Sequence, residues 1–545
     1  MPVHDHGARP YDWVGDWAGR RARLSPDSVG LRDVTTGEAY TYADLNRRAN
    51  RTARLLAQHG VALDGGQPGE RTGGRVVTLS RNRPELVDLF FATGKTGGVL
   101  APLSHRLAAP ELAELLDDVA PELLVVEAPF GDLAADALAA ADCDPSTLMV
   151  GADAAPTAET DPAAYLPEAR AWTAALPDDG SAVETADLTL SDPHLFLHTG
   201  GSTGLPKETV LTHGSVLWNA VNTVSAWGLR DDDATPLTFP MFHTGGWNVL
   251  TVPLFHMGGA VWMDREVDAG RLLELIDDGE VTTLIAVPAV LRGMVEHADW
   301  ERTDLSSLRL VKSGGGPCRE RIMQAWWDRG VDLSQGYGLT ECGPNNFAMP
   351  DDWPREKADT VGVPAPAVDA RVVDEDGTEL PPGEVGELEL ASPHAADRYW
   401  NRPAETAATF GARDGDAHGW VSTGDLAAVD EAGYFSIEGR KKNMYVSGGE
   451  NVYPPEVEDA VADHPAVAEV VVVPVPDERW GQVGTAVVEP TGDDSDLTVE
   501  ELRAFLDDRL ARFKHPRDLA FVDAMPTSGP DKIDRATVEE RFGGE

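Results

Sequence analysis

Lysine and cysteine are scarce in this chain of 545 residues. The three cysteines, Cys143, Cys318 and Cys342, are odd in number and far apart in the sequence. That spacing supports neither a disulfide framework nor a zinc site. The N-terminus also has no basic segment followed by an apolar one, as a signal peptide would have. These features predict a cytoplasmic protein.

Positively charged residues are also few in comparison with acidic ones. The chain has 45 Lys+Arg against 92 Asp+Glu, a formal net charge of −47, and from 107 to 206 nineteen acids face one base, Arg170. Such a field repels nucleic-acid phosphates and anionic lipid, and no basic patch in the sequence offsets it. An acidic, lysine-poor surface stays hydrated when salt shortens the screening length to about 3 Å at 1 M. The composition therefore predicts a high-salt cytoplasm and argues against a nucleic-acid partner.

Lysine is rare in this composition, so the lysines that are present are candidates for roles that require an ammonium group. They are Lys95, Lys207, Lys312, Lys357, Lys441, Lys442, Lys514 and Lys532.

Long apolar runs are also missing, apart from the uncharged stretch 234–263. It is long enough to cross a bilayer, but Pro236, Pro240 and Pro253 and two glycine pairs interrupt it. Such interruptions favour buried core segments separated by loops. The sequence thus predicts a globular protein with no membrane span.

The main positive pattern in the sequence is an alternation of short apolar runs with amphipathic segments. The runs VVTLS (76–80), ELLVVE (122–127) and TLIAVP (283–288) alternate with segments such as YADLNRRANRTARLLAQHG (42–60). This pattern predicts an α/β fold with mostly parallel, buried strands.

The predicted secondary-structure pattern changes twice toward the C-terminus. From about residue 369, short strands and tight turns predict hairpins or a small barrel. After about residue 440 the α/β pattern returns, with a helix begun by a capping box at Thr498 and Glu501. We therefore expect a domain of residues 1–440, with a β-rich part at 368–440, and a second domain of residues 441–545.

The most informative string is LHTGGSTGLPKE, residues 197–208. Its glycines, its hydroxyl side chains and Lys207 suit a loop that wraps phosphate oxygens. It lacks the Gly-Lys-Ser/Thr of a Walker A loop. Taken alone, an ordinary flexible turn is an equal alternative.

Further motifs follow this loop in order. They are QGYGLTECGP (335–344), GWVSTGDLA (419–427), EGRKKNMYVSGGENVYPPEVE (438–458) and GPDKIDR (529–535). Together with the glycine loop they closely resemble the adenylate-forming superfamily, specifically the acyl-CoA synthetases, over roughly residues 30–540. The resemblance implies a large N-terminal domain with two parallel-type α/β sheets and a small β-barrel. It also implies a small, mobile C-terminal α+β domain that closes over the active site.

The resemblance implies how ATP is held. The residues that bind the β- and γ-phosphates are Thr199, Gly200, Gly201, Ser202, Thr203, Gly204 and Lys207. Thr340 contacts phosphate and Glu341 binds Mg²⁺, for which a hard carboxylate oxygen is suited.

The same resemblance implies a site for the nucleoside. Asp425 and Arg440 contact the ribose, although on sequence alone Asp425 could be a turn acid. The adenine pocket is formed by Gly315, Gly316, Pro317 and Tyr337, and for Tyr337 the alternative is a core position.

Three further roles come from the resemblance. Lys532 contacts both the substrate carboxylate and the α-phosphate, Lys442 is the hinge of the C-terminal domain, and Gly448 and Gly449 line the tunnel for CoA. The chain departs from the family at two points. Relatives commonly have Ser-Gly-Lys where Pro530-Asp531-Lys532 stands, and they usually have glycine where this chain has Glu208. An acid beside a phosphate site is unfavourable unless it points away.

The acid to be activated is less defined. Amino-acid-activating relatives hold the substrate ammonium with an aspartate, whereas the corresponding stretch here, 240–248, has Phe242 and His243. This difference favours a plain carboxylate, and fatty, branched and aromatic acids all stay open. His243, Trp247 and Gly314 are expected to line the acyl pocket, with core packing an even alternative for Trp247.

The expected function is therefore ATP-dependent ligation of a fatty or other non-amino carboxylic acid to CoA through an acyl-AMP, with ATP, Mg²⁺ and CoA required. The alternatives are delivery of the acyl group to a carrier protein, a luciferase-like oxygenase, and a non-catalytic nucleotide-binding homologue. The sequence specifies neither the acid nor the oligomeric state.

Overall fold

The computed structural model describes residues 13–66, 70–151, 166, 169–199, 206–411, 419–447, 450–477, 479–492, 497–507, 509–527 and 533–543. The chain forms two compact units. The first comprises Met1–Pro350, Pro364–Asp369 and Leu390–Val421, and the second comprises Asp351–Val363, Ala370–Glu389 and Ser422–Glu545. The domain boundary expected near Arg440 stays a prediction.

The α-helices of the described residues follow the amphipathic segments of the sequence. They are α1 (Trp17–Leu24), α2 (Tyr42–Gln58), α3 (Pro84–Thr96), α4 (Ala109–Val119), α5 (Gly131–Ala140), α6 (Trp172–Ala175), α7 (His213–Trp227), α8 (Thr251–Met257), α9 (Ala269–Asp277), α10 (Pro288–Glu296), α11 (Glu320–Asp328), α12 (Pro403–Phe410), α13 (Pro454–Ala462), α14 (Val499–Leu506) and α15 (Arg535–Phe542). The predicted capping box of α14 is present, because Thr498 Oγ1 accepts from the backbone N–H of Glu501 and the Glu501 carboxylate accepts from that of Thr498.

The strands include the apolar runs predicted from the sequence. They are β1 (Val29–Asp33), β2 (Ala39–Thr41), β3 (Arg75–Leu79), β4 (Val99–Leu103), β5 (Leu123–Glu127), β6 (Ser146–Val150), β7 (Arg170–Ala171), β8 (Pro193–Thr199), β9 (Lys207–Thr212), β10 (Ala234–Pro236), β11 (Ala260–Met263), β12 (Thr283–Ala286), β13 (Leu310–Ser313), β14 (Leu333–Gln335), β15 (Phe347–Ala348), β16 (Thr360–Pro364), β17 (Asp369–Val373), β18 (Gly386–Ala391), β19 (Arg398–Tyr399), β20 (Val421–Val429), β21 (Phe435–Arg440), β22 (Tyr445–Ser447), β23 (Glu450–Val452), β24 (Val467–Asp477), β25 (Gly481–Pro490) and β26 (Asp518–Phe521).

The first unit is built on parallel sheets, as the α/β class predicts. Its largest sheet has the strand order β19-β9-β8-β4-β3-β5-β6-β7, with parallel pairing from β8 through β4, β3, β5 and β6 to β7 and antiparallel pairing at the β8–β9–β19 end. Two smaller sheets have the orders β10-β11-β1-β2 and β12-β13-β14. They meet where the Thr282 N–H donates to the Ala234 carbonyl at 3.0 Å. The predicted α/β fold is confirmed.

The second unit contains the predicted short strands and a C-terminal α/β layer. Within it, strands pair in the order β16-β21-β20-β18-β17, and β23-β22-β25-β24 form another sheet in which β26 pairs with β25. One face of that sheet buries Val457 and Val461 of α13 with Leu502 and Leu506 of α14. The other face buries Val538 of α15.

The uncharged stretch 234–263 lies in the core of the first unit. It forms β10, a π-helical turn at Gly245–Val249, α8 and β11 in succession, and most of its side chains are buried. No helix in the described part of the chain is long and apolar enough to cross a bilayer.

Glu208, one of the two departures from the family pattern, points into the apolar layer between the largest sheet and α4. Side chains alternate along a strand, so Lys207 and Glu208 of β9 lie on opposite faces. Val210, on the same face as Glu208, packs in the apolar cluster between the sheet and α4. The acid therefore points away from the face that carries Lys207, as the electrostatics of a phosphate site require.

The surroundings of Glu208 keep its carboxyl group neutral. Burial, and then the nearby Asp118 carboxylate, raise the pKa of Glu208 to about 8. Neither of its carboxyl oxygens has a hydrogen-bond partner among the described residues. His198 lies directly opposite in the β8–β9 register, but burial lowers its pKa to about 4, so it offers no positive charge. Arg402 pairs with Asp118 instead, at 3.4 Å.

A Glu208→Gln variant should change the pH dependence of stability. In the folded protein Glu208 retains its proton up to about pH 8, whereas an unfolded glutamate releases it near pH 4.3. Unfolding therefore releases a proton between these values, and the stability of the wild type falls there as pH rises. We expect the free energy of unfolding of the wild type, relative to the variant, to fall by up to about 1.4 kcal/mol per pH unit from about pH 5 to 8.

Denaturant unfolding of both proteins at half-unit intervals from pH 5 to 9 would measure this difference. Glu384→Gln, at an exposed position of the second unit, removes one carboxylate from the surface and is the matched control. A difference between wild type and Glu208→Gln that stays constant with pH would contradict the buried, protonated acid.

Candidate active site

The glycine-rich loop is closed by a β-hairpin. Thr199, the last residue of β8, and Lys207, the first residue of β9, are directly opposed in an antiparallel register. Both side chains are half-buried. The loop residues Gly200, Gly201, Ser202, Thr203 and Gly204 lie outside the described residues. The structure thus defines both ends of the loop expected to hold phosphate.

The YGLTE motif forms a tight loop directly after β14. A Cβ atom on Gly338 would lie 2.2 Å from the Pro344 carbonyl carbon, so only glycine fits there. Leu339 and Gly343 pair through their backbones, with the Leu339 N–H donating to the Gly343 carbonyl at 3.2 Å. The loop is therefore closed on itself.

Thr340 and Glu341 lie at the tip of this loop. They open the 3₁₀ turn Thr340–Cys342, and both side chains are half-buried. The Glu341 carboxylate accepts a hydrogen bond from the hydroxyl of Tyr399 at 2.7 Å. Burial, reinforced by the Glu341 charge, raises the pKa of Tyr399 above that of an ordinary phenol, so Tyr399 acts as the donor.

The glycine strip expected at the adenine site follows the neighbouring strand β13. Gly315 has a left-handed φ of +87°. Gly316 and Pro317 are exposed, and no atom of the described residues lies within 4 Å of the Cβ position of Gly316. Gly314 is half-buried, and a side-chain carbon of Ile285 lies 3.9 Å from its Cβ position.

Two hydrogen bonds join this strip to the strand that leads into YGLTE. The Cys318 N–H donates to Gln335 Oε1 at 2.9 Å, and the Gly336 N–H donates to the Ser313 carbonyl at 2.8 Å. Tyr337 is half-buried, with its ring centroid 5.9 Å from that of Phe347. The strip and Tyr337 thus lie together at the carboxyl ends of adjacent parallel strands, the usual position of ligand sites in α/β folds.

The two residues expected in the acyl pocket differ in exposure. His243 is exposed, and its ring lies 4.5 Å from Phe242 and 6.0 Å from His198. Trp247 is fully buried, stacks on Phe90 at 5.0 Å and donates to the Met241 carbonyl at 2.5 Å. Trp247 therefore occupies the core position that the sequence left as its alternative, and a role in the acyl pocket stays a prediction for both residues.

The residues expected at the ribose are paired in the second unit. Asp425 of β20 and Arg440 of β21 are cross-strand partners, and Arg440 Nε lies 2.6 Å from Asp425 Oδ1. Asp425 is buried, whereas half of the Arg440 side chain is exposed. Thr423 Oγ1 accepts from the Asp425 N–H at 3.1 Å and donates to the Leu388 carbonyl at 2.7 Å. A buried acceptor beside a half-exposed cation suits recognition of a diol.

The remaining predicted residues belong to the C-terminal part. Lys442 is exposed, in the turn that follows β21, where the N–H groups of Asn443 and Met444 donate to the Arg440 carbonyl at 2.9 and 3.1 Å. Gly448, Gly449 and Lys532 lie outside the described residues, so their roles stay predictions.

Sequence reasoning missed Tyr399. Tyr399, which binds Glu341, lies 58 residues further along the chain in a strand of two residues, for which no sequence pattern exists. Lys312 directly precedes Ser313 and the glycine strip. It is buried, which lowers its pKa to about 8, and it donates to Ser334 Oγ at 3.0 Å. Lys312 is one of the eight lysines that the composition singled out.

Comparison with known proteins matches nearly the whole chain. Residues 19–400 match the AMP-binding enzymes and residues 456–532 match the AMP-binding enzyme C-terminal domain. Feruloyl-CoA synthase from an Amycolatopsis species is 37% identical over 530 residues, covering 97% of this chain and 99% of the relative. Indoleacetate–CoA ligase from Aromatoleum aromaticum is 34% identical over 532 residues, covering 97% and 98%. The ATP-bound crystal structure of MatB from Rhodopseudomonas palustris has a TM-score of 0.82 at 29% identity, covering 97% of this chain and 99% of that one.

The family match extends over both parts of the chain, and the first unit joins the glycine-strip and YGLTE segments at the ends of adjacent strands. The chain therefore belongs to the AMP-binding enzyme family, among the acyl-CoA synthetases of the adenylate-forming superfamily.

Proposed function

We propose that this acyl-CoA synthetase activates a plain, non-amino carboxylic acid in two half-reactions. In the first, the carboxylate attacks the α-phosphorus of ATP, the bond to the β-phosphate oxygen breaks, and acyl-AMP and pyrophosphate form. In the second, the CoA thiolate attacks the acyl carbon and AMP leaves. The family membership, with the whole chain aligned to relatives named as CoA synthases and ligases, is the observation that carries this reaction.

The adenylation half-reaction must bring two anions together while pyrophosphate leaves. We assign the β- and γ-phosphates to Lys207 and to the loop that starts at Thr199, and the ribose to Asp425 and Arg440. Lys532 would place its ammonium between the substrate carboxylate and the α-phosphate, which lowers their repulsion in the transition state. The pairing of Thr199 with Lys207 supports the first assignment.

Mg²⁺ fits the residues that the family implies for it. Among the described residues, no group of three or more histidine, cysteine, aspartate or glutamate side chains gathers as a metal site. A Mg²⁺ ion that travels with nucleotide phosphates needs only one or two protein carboxylates. We assign one of these to Glu341, which is half-buried and accepts a hydrogen bond from Tyr399. When bound, the ion would neutralise charge on the phosphates.

The thioester half-reaction requires the C-terminal part of the chain. We assign Lys442 as the hinge about which this part turns after adenylation, and Gly448 and Gly449 as the lining of the CoA tunnel. The exposed position of Lys442 in a turn after β21 supports the hinge.

The stretch 240–248 supports the choice of a non-amino acid. It contains no acidic residue that could hold a substrate ammonium, and it presents the exposed His243 beside the ring of Phe242. Aromatic acids come first among the candidates, because the two relatives compared above are named for feruloyl and indoleacetate groups.

Release of AMP and pyrophosphate from MgATP, measured over short, medium, branched and aromatic acids with and without CoA, tests this function. We expect AMP formation to require both an acid and CoA, with an aromatic acid giving the highest kcat/KM. Pyrophosphate without CoA turnover would point to a carrier-protein acceptor. No nucleotide turnover with any acid would favour a binding role.

A Lys532→Ala variant separates the half-reactions. We expect adenylation to fall on the order of 10²–10³-fold, because the variant loses a preorganised charge at the reacting centre. Thioester formation from supplied acyl-AMP should persist. Lys357→Ala, which removes a lysine paired with Asp430 in the second unit, is the matched control and should leave both rates unchanged. Equal loss of both half-reactions in Lys532→Ala would contradict the assignment.

A cytoplasmic, high-salt setting without a nucleic-acid partner is also proposed, on the basis of composition. The structure adds that lysines of this acid-rich chain are held by acids: Lys95 by Asp16, Lys357 by Asp430, Lys441 by Glu387 and Lys514 by Glu456. These pairs leave much of the remaining acidic charge uncompensated.

Transfer from molar KCl to low-salt buffer should therefore lower both the melting temperature and the activity. At 0.1 M salt the screening length is about 10 Å, against about 3 Å at 1 M, so repulsion among the acids extends further. Thermal melts and AMP release across a KCl series measure the effect. Unchanged values at low salt would refute a high-salt adaptation.

A further inference from the structure

Tyr399 is a buried phenol between the two catalytic segments of the first unit. Only 7% of the residue is exposed. Its hydroxyl donates to Glu341 at 2.7 Å, and Lys207 Nζ lies 5.1 Å from the centroid of its ring. One side chain thus contacts both the carboxylate assigned to Mg²⁺ and the lysine assigned to phosphate.

The backbone around Tyr399 is fixed on both of these sides. Strand β19 pairs with β9, with Tyr399 opposite Thr209, and Thr209 lies on the same face of β9 as Lys207. On the other side, the Ala396 N–H donates to the Glu341 carbonyl at 2.8 Å. The strand that carries Tyr399 is therefore attached by backbone hydrogen bonds to the strand of Lys207 and to the loop of Glu341.

The position of the ring is fixed from a third direction, by α12. The Tyr399 N–H donates to Thr406 Oγ1 at 3.0 Å, and the ring packs edge-on against Phe410 with centroids 5.4 Å apart. A phenol held on three sides has little rotational freedom, so its hydroxyl can impose an orientation on the more exposed Glu341 carboxylate.

We propose that Tyr399 is a positioning residue for nucleotide binding: its hydroxyl occupies one oxygen of Glu341 and thereby orients the carboxylate toward the Mg²⁺ of MgATP. This proposal rests on the proposed function for the role of Glu341, but the hydrogen bond itself does not. If the hydroxyl acts in this way, it contributes nothing to the affinity for a nucleotide bound without metal. A role in packing alone would affect the affinity equally with and without Mg²⁺.

Tyr399→Phe isolates the hydroxyl, because it keeps the ring that packs on Phe410 and faces Lys207. We expect the Kd and the KM for MgATP to rise about tenfold, as for loss of a hydrogen bond to a charged group, while kcat changes less. The Kd for ATP in EDTA should stay at the wild-type value. Tyr434→Phe is the matched control, since Tyr434 also has a lysine over its ring, Lys357 at 5.5 Å, and lies outside the proposed site.

A double-mutant cycle with Glu341→Ala completes the experiment, with all affinities measured by calorimetry. If the hydroxyl acts through Glu341, adding Tyr399→Phe to Glu341→Ala leaves the MgATP affinity unchanged. An additive effect, wild-type MgATP affinity in Tyr399→Phe, or an equal loss of ATP affinity with and without Mg²⁺ would each overturn the proposal.

Thermal melts of each variant show whether it is folded. The cycle also measures the effect of the Tyr399 hydroxyl on MgATP affinity in the Glu341→Ala background. Wild-type protein that binds MgATP but forms no AMP with any acid would refute the proposed function. That outcome leaves the binding cycle, and hence the role of Tyr399, separately measurable.

Discussion

The antiparallel pairing of β8 with β9 is the constraint on which the candidate site depends. The large sheet is parallel from β7 to β8, and the reversal between β8 and β9 brings the two ends of the glycine loop together. The same register decides the face on which each side chain of β9 lies. Lys207 faces Tyr399, while Glu208 enters the apolar layer below α4. A slip of one residue would exchange these two environments, with an acid on the phosphate side and a lysine in the core.

The other candidate residues have their own local constraints, each within its own unit. The loop of Glu341 can close only because residue 338 has no side chain, and Asp425 is held by its place opposite Arg440 in a hairpin. Each constraint is a backbone feature within one unit. The positions of these candidate side chains are therefore set by strand register and tight turns.

Much of this arrangement could be predicted from the sequence, and the reasons are physical. Strands such as β3, β5 and β12 are buried runs of β-branched residues, and α14 begins with a capping box, so their local patterns are strong. The order of the glycine loop, YGLTE and STGD indicated the family. The family resemblance in turn implied roles for Glu341, Asp425 and Arg440, and the structure pairs the last two.

The features that could not be predicted depend on pairings between distant segments. Strand β19 has two residues, too few for any periodicity, yet it carries Tyr399 to Glu341. The burial of Trp247 could not be separated from a pocket position, since an aromatic side chain suits both. The direction in which Glu208 points depends on which face of β9 is buried. Alternation of side chains along the strand shows that Lys207 and Glu208 lie on opposite faces, but it does not show which face is buried.

Strand β19 has a consequence beyond the site. It covers the outer edge of β9, which would otherwise end the largest sheet with unpaired backbone groups, and open edges are the usual starting points of intermolecular β-pairing. Trp400, the residue after β19, helps to hold this strand in place by donating from Nε1 to the Asp118 carbonyl at 2.9 Å. In concentrated salt, charge repulsion between molecules is weak even for an acidic protein. The short strand that carries Tyr399 to Glu341 thus also covers part of a sheet edge at which another chain could pair.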